Sequence, residues 1–186
     1  MARQVTVPDW VAAATRIEVV VRQTTYWDLA VCPEGSRCRV HFLGKVEFEF
    51  VGSLADRITV CSNHPLLIEH EEPEDSLYIS TSTREPEAVL EGLRELCEQH
   101  FGGWRPLVHY LNDLAPAGDL LRAGYGLLLR GPRRFVAAAA GQLADHRINA
   151  QIHHGTARGT TLQVLELGRS YVVAEEFEFE PMTDAV

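Results

Sequence analysis

Between residues 76 and 154 the spacing of apolar residues switches repeatedly between two periods, and this limits the fold more than any other feature of the chain. An extended segment at Leu77–Ser80 gives way at residue 82 to "STREPEAVLEGLRELCEQHF". There Val89, Leu90, Leu93, Leu96 and Cys97 recur as on one face of a helix. Hydroxyl and acidic residues with Pro86 mark its start, and Gly102-Gly103 its end. "WRPLVHYL" (104–111) then reads as a strand, which Pro106 confines to an edge or gives an irregular start. A loop with one helical turn follows. "YGLLLR" (125–130) reads as a buried strand broken by Gly131-Pro132, "RRFVAAAAGQLADH" as a second helix, and "INAQIHH" (148–154) as another strand. Strand, helix, strand, strand, helix, strand is the βαββαβ order of ferredoxin-like folds. The right-handed rule for parallel crossovers narrows its topology.

The flanking regions are β-rich. Ile17, Val19 and Val21 alternate with polar or second-face residues. Cys38, Val40 and Phe42 do the same, "LGK" turns, and Val46, Phe48 and Phe50 resume the period, which predicts a hairpin. Shorter strands are expected near Ile58–Cys61 and Leu66–Glu69, and "EHEEPED" (69–75) as a solvated loop. "TLQVLEL" and "YVVAEEFEFE", joined by Gly168-Arg169-Ser170, predict a closing hairpin over 161–180. No Pro-, Gly- or Ser-rich linker divides the chain. The expectation is one α+β domain over 1–186: a β-rich portion at 16–82, the βαββαβ core at about 76–154 and the closing hairpin, with mostly antiparallel sheet. The echo between "VEFEFV" (46–51) and "EEFEFE" (175–180) carries a restriction of its own. Paired in register, their glutamates would repel, so the two should not be in-register neighbours unless a cation sits between them.

Charge then narrows the function classes. With 17 Lys and Arg against 26 Asp and Glu, a formal net charge of −9, the chain does not suit phosphate-backbone binding. No apolar run approaches the ~20 residues that span a bilayer. "MARQVTVPDWVAAATRIE" lacks the apolar run of a secretory signal, so a cytoplasmic location is expected. Lys45 is the only lysine, which points to a GC-rich bacterial genome rather than to a physical demand. Cys38, Cys61 and Cys97 fall on apolar stripes and read as core residues. Cys61-Ser-Asn-His64 has a ligand-like spacing, too short a motif to imply a metal.

Alternation in "INAQIHH" puts Ile148, Ala150, Ile152 and His154 on one face and Asn149, Gln151 and His153 on the other. The adjacent histidines should therefore not chelate one ion. His154 reads as a core-edge histidine or a partly desolvated base. His109, with Leu107 and Leu111, raises the same question beside Tyr110. In a ferredoxin-like order the strands of His109 and His154 lie three steps apart, ~14 Å at ~4.8 Å per step, too far for a direct relay. Two turns could hold an anion. Arg130-Gly-Pro-Arg133-Arg134 leads into a helix start, where free N–H groups favour negative charge. "HHGTARGTT" adds two glycines and Arg158.

The stretch "YGLLLRGPRRFVAAAAGQLADHRI" resembles the strand–Gly-Pro–helix segment that closes the nucleotide module of ferredoxin-reductase-like flavoenzymes. No flavin-binding signature precedes it and the hairpin after it does not suit that family, so no cofactor is expected.

With no coherent catalytic set, the expected function is that of a bacterial cytosolic binding or interaction protein. It would act through sheet edges or a sheet–helix pocket, as a homodimer or with a protein partner on an edge strand, or with a small anionic ligand. Nucleic acid and membrane are not expected as partners, nor is a metal. The alternative is a cofactor-independent isomerase, cyclase or lyase. In it His109, Tyr110 and His154 would carry proton chemistry, and arginines such as Arg158 would hold a carboxylate or phosphate. A third reading, an acidic mimic of nucleic acid, requires the glutamates at 69–75, 87–98 and 175–180 to share one face.

Overall fold

The computed structural model describes residues 7–32, 36–156 and 161–182. Contacts fall into two compact units, residues 1–67 with 160–186, and residues 68–159. The chain begins in the first unit with α1 (Asp9–Ala12), β1 (Arg16–Arg22), β2 (Tyr26–Cys32), β3 (Ser36–Leu43), β4 (Glu47–Glu49), β5 (Leu54–Ala55) and β6 (Ile58–Cys61). The second unit contributes α2 (Ile68–Glu71), β7 (Glu74–Ile79), α3 (Pro86–Phe101), α4 (Ala117–Ala123), β8 (Gly126–Pro132), α5 (Arg133–Asp145) and β9 (Ala150–His153). The chain returns to the first unit as β10 (Gln163–Leu167), β11 (Ser170–Ala174) and β12 (Glu176–Met182). The class is thus mixed α and β, with antiparallel pairing between all the named strands.

In the first unit two sheets share one core: five strands in the order β12-β3-β2-β1-β5 and four in the order β4-β11-β10-β6. Ile17, Leu29 and Val40 come inward from one sheet, Leu165, Leu167 and Val172 from the other. Each is almost fully buried, worth roughly 1.5–3 kcal/mol per side chain. The hairpin expected over 38–50 does not form. The β3 strand pairs with β2 and β12, whereas β4 crosses to the other sheet and pairs with β11. The β3 arm alternates as expected, whereas Val46 and Phe48 of the second arm are exposed; alternation in any case states which face is buried, not which strand lies alongside. The closing hairpin forms as β10 and β11, and then the chain breaks at Glu175 and β12 joins the other sheet. The two Phe-Glu repeats therefore lie in different sheets, as the repulsion argument requires. The β2 strand was not expected; its "YWDLAVC" carries the alternation only weakly.

In the second unit β7 lies between β8 and β9, antiparallel to both. The β8 and β9 strands hence run parallel to each other, joined by α5. Of the helix stripe expected in α3, Val89, Leu93 and Cys97 are buried, together with Phe101, while Leu90 and Leu96 are partly buried. Phe135, Val136, Ala139 and Leu143 of α5 face the same core. The strand expected at 104–111 is absent, so the ferredoxin-like six-element series is incomplete. Leu107–His109 is a single 3-10 turn, and only Leu111 makes a bridge, to Leu129. From the turn onward the buried residues are Leu107 and Tyr110, three apart, while Val108 and His109 face solvent. That spacing fits the three-residue repeat of a 3-10 turn and not the period of two. Two smaller expectations also change. Leu66–Glu69 is helical, a 3-10 turn at Pro65–Leu67 ending the first unit's segment and α2 opening the second. Gly131-Pro132 does not break β8, which runs through both residues.

Candidate functional site

The acidic stretch 69–75 is where the second unit concentrates its chemistry. It is not a solvated loop: Glu69 lies in α2, Glu72 follows it, and Asp75 lies in β7. In β7 the inward face reads Asp75, Leu77, Ile79. The period of two thus carries a carboxylate onto the apolar side of the sheet, leaving the Asp75 side chain 1 % exposed. A buried carboxylate must find donors. Asp75 accepts from His154 Nδ1 at 2.8 Å, Arg133 Nε at 3.2 Å and the Gly155 amide at 2.9 Å. Burial alone would raise its pKa; these hydrogen bonds and the arginine charge outweigh that and hold it below the ordinary aspartate value. Gly155 is required here, because a Cβ on it would lie 2.1 Å from the Glu74 carbonyl oxygen.

Glu72 performs the corresponding task at the start of α5. Its carboxylate accepts the Arg134 amide at 2.8 Å and also bonds the Arg134 guanidinium. The N–H groups at a helix start carry partial positive charge, so an internal carboxylate is well placed there. The turn that the sequence offered as an anion site is consequently filled by the chain's own acids, Arg133 by Asp75 and Arg134 by Glu72. Arg130 is separate from both. Arg158 lies outside the described residues.

Glu69 anchors a third set. Its side chain is 14 % exposed, and Arg105 Nε reaches Oε2 at 3.0 Å. The Tyr110 hydroxyl donates a short hydrogen bond to Oε1, and His109 Nε2 lies 3.3 Å from the same oxygen. Burial, then the adjacent carboxylate, push the Tyr110 phenol far above its ordinary range, so it stays protonated and acts as a donor. The Tyr110 ring stacks on Phe101 at 4.8 Å and packs against Phe135 at 5.0 Å. Gly131 makes room for it: a Cβ there would come within 3.0 Å of the ring.

Beside this set opens a cavity of about 410 Å³. His109, Tyr110 and Glu69 form part of its wall, with Arg130, Glu74 and Asp113 adding charge. Leu111, Leu114 and Leu127 supply apolar surface. Arg130, Glu74 and Asp113 are exposed, and none has a side-chain partner among the described residues. The structure thus gathers His109, Tyr110 and Arg130 of the sequence candidates in one cavity. His154 is not in its wall; it sits just past the end of β9, 63 % exposed, on Asp75. His153 turns the other way, 4.9 Å from the Tyr78 ring, so the adjacent histidines do not converge. Glu69, Glu72, Asp75 and Arg105 were missed by sequence reasoning. One signal was available for Asp75: stepping the alternation of β7 back one period from Leu77 lands on it.

In the first unit, Cys61 and His64 form no ligand pair. Leu66 N–H donates to His64 Nδ1 at 3.2 Å, so the proton sits on Nε2, which lies 2.5 Å from Glu166 Oε1. Both ring nitrogens are occupied. Burial lowers the His64 pKa against the opposing pull of Glu166, and burial raises that of the Cys61 thiol.

No protein-family model, no curated protein and no solved structure matches this chain, so its site is read from its own residues.

Proposed function

We propose that the protein is a small-molecule binding protein whose ligand carries an acidic group and occupies the cavity of the second unit. The observation that supports this is Arg130, an exposed guanidinium in a concave wall with no carboxylate partner among the described residues. Its volume, about 410 Å³, falls within the usual range for small-molecule sites. The ordered Arg105–Glu69–Tyr110 set gives the wall rigidity, which lowers the ordering cost of binding. The notion of a partner on an open sheet edge has less support. The β4, β5, β6 and β9 edge strands are two to four residues long, and the seven-residue β8 edge is partly covered by Tyr110–Asn112, with Arg130 N–H donating to the Tyr110 carbonyl and Asn112 N–H to the Leu128 carbonyl, and ends in Pro132. The longer β12 edge carries Glu178, Glu180 and Pro181, devices that discourage strand addition. An acidic mimic is likewise disfavoured, since Glu69, Glu72 and Asp75 are neutralised by the chain's own cations. No described helix is long and apolar enough to cross a membrane.

A thermal-shift panel of carboxylates, phosphates, nucleotides and metal ions tests the proposal. A ligand at 100 times its Kd stabilises by about 2.7 kcal/mol, roughly 5–11 °C for a chain of this size. The expected hits are carboxylates or phosphates, and the shift should disappear in Arg130→Ala. A uniform lack of response from every anion would refute it.

A second reading, catalysis, draws on His109, half-exposed at the cavity and 3.3 Å from Glu69. Turnover of a bound ligand that is lost in His109→Gln while binding persists would move the assignment to an acid–base enzyme.

A further inference from the structure

Resting on the binding reading above, we infer that the ligand is a zwitterion, an α-amino acid with an aliphatic side chain. The cavity wall offers charges of both signs. Arg130 of β8 presents a guanidinium, whereas Glu74 at the start of β7 and Asp113 in the segment after the 3-10 turn present carboxylates. None of these is committed to another side chain among the described residues, in contrast to Glu69, Glu72 and Asp75, which are all paired. A simple anion would leave the two acids facing it unpaired and repelled. A simple cation would leave Arg130 in the same position. A ligand bearing both groups answers the wall with one molecule, the carboxylate taking the planar fork of Arg130 and the ammonium the acids. Leu111, Leu114 and Leu127 gather hydrocarbon on one part of the wall, beside the Asn112 amide. That surface suits an aliphatic side chain better than a polar one. The volume accommodates a single amino acid and leaves little room for a long peptide.

Isothermal titration of the full chain with L-leucine, N-acetyl-L-leucine and L-leucinamide tests the inference. L-Leucine should bind, and each derivative, lacking one charge, should bind about tenfold or more weakly, the ordinary worth of one charge-assisted contact. Arg130→Ala should weaken L-leucine without weakening L-leucinamide. The double variant Glu74→Gln, Asp113→Asn should weaken L-leucine without weakening N-acetyl-L-leucine. All three residues are exposed, so the variants should fold, and circular dichroism checks that they do. N-Acetyl-L-leucine binding as tightly as L-leucine would overturn the inference while the anion-binding reading stands. Failure of all three leucine compounds, with other carboxylates or phosphates still binding, would do the same. Failure of those compounds and of the whole anion panel would remove both.

Discussion

Replacing Asp75 by Asn tests the central electrostatic element of the second unit. The two side chains are nearly isosteric, so packing is held constant and only charge and acceptor capacity change. In the native chain Asp75 accepts from His154, Arg133 and Gly155. An asparagine can keep the Gly155 amide on its carbonyl oxygen and turn its NH2 towards His154, whose Nδ1 can accept after a change of tautomer. It cannot also serve Arg133. Breaking a fully buried ion pair costs about 3–5 kcal/mol because a buried charge is stranded. That ceiling does not apply, since Arg133 is 46 % and His154 63 % exposed and both rehydrate. The loss of one charge-assisted bond and the weakening of another should cost about 2 kcal/mol. For a chain of this length that lowers Tm by about 4–8 °C at pH 7.

The pH dependence supplies the sharper test. The folded-state pKa of Asp75 is below its unfolded value, so its contribution is complete above about pH 5 and declines as pH falls through the folded pKa. The gap between wild type and Asp75→Asn should therefore narrow below about pH 4. Urea melts followed by circular dichroism measure it. A variant within about 0.5 kcal/mol of wild type at pH 7 would refute the reasoning, as would a gap that does not narrow in acid.

Four further outcomes are expected. Gly155→Ala should destabilise the fold about as much as Asp75→Asn and should add little to it in the double variant, because the displaced backbone would pull its amide from Asp75; full additivity in urea melts would contradict this. His64, with a folded pKa lowered by burial, binds its proton more readily when unfolded, so wild-type stability should fall as pH drops from about 7 through 6.5, and His64→Gln should show a flatter profile over that range. Phe135→Ala should cost about 3–5 kcal/mol by thermal melt, since the ring is fully buried against Phe101 and Tyr110. Cys38 and Cys97, pushed up to about 11 by burial, should resist iodoacetamide at pH 8 until urea unfolds the chain; fast labelling of either in native protein would count against their placement.

What the chain's own letters determine is local. The four-residue spacing of Val89, Leu93, Cys97 and Phe101 makes a helix with one apolar stripe whatever it packs on. The alternation in 148–154 sends His153 and His154 apart, and charge repulsion keeps the two Phe-Glu repeats from pairing. These follow from the pitch of a helix, the pleat of a strand and Coulomb's law between near neighbours. Which strand lies beside which is another matter, because alternation is the same for every partner; β3 and β4 look like a hairpin and yet enter different sheets. The candidate site belongs almost wholly to this second kind of information. Glu69 meets Arg105 across 36 residues, and Asp75 meets His154 across 79 because β9 pairs with β7. A carboxylate in sequence is a solvated charge by default. Its burial, and hence its chemistry, is decided by which remote donors the tertiary structure delivers to it.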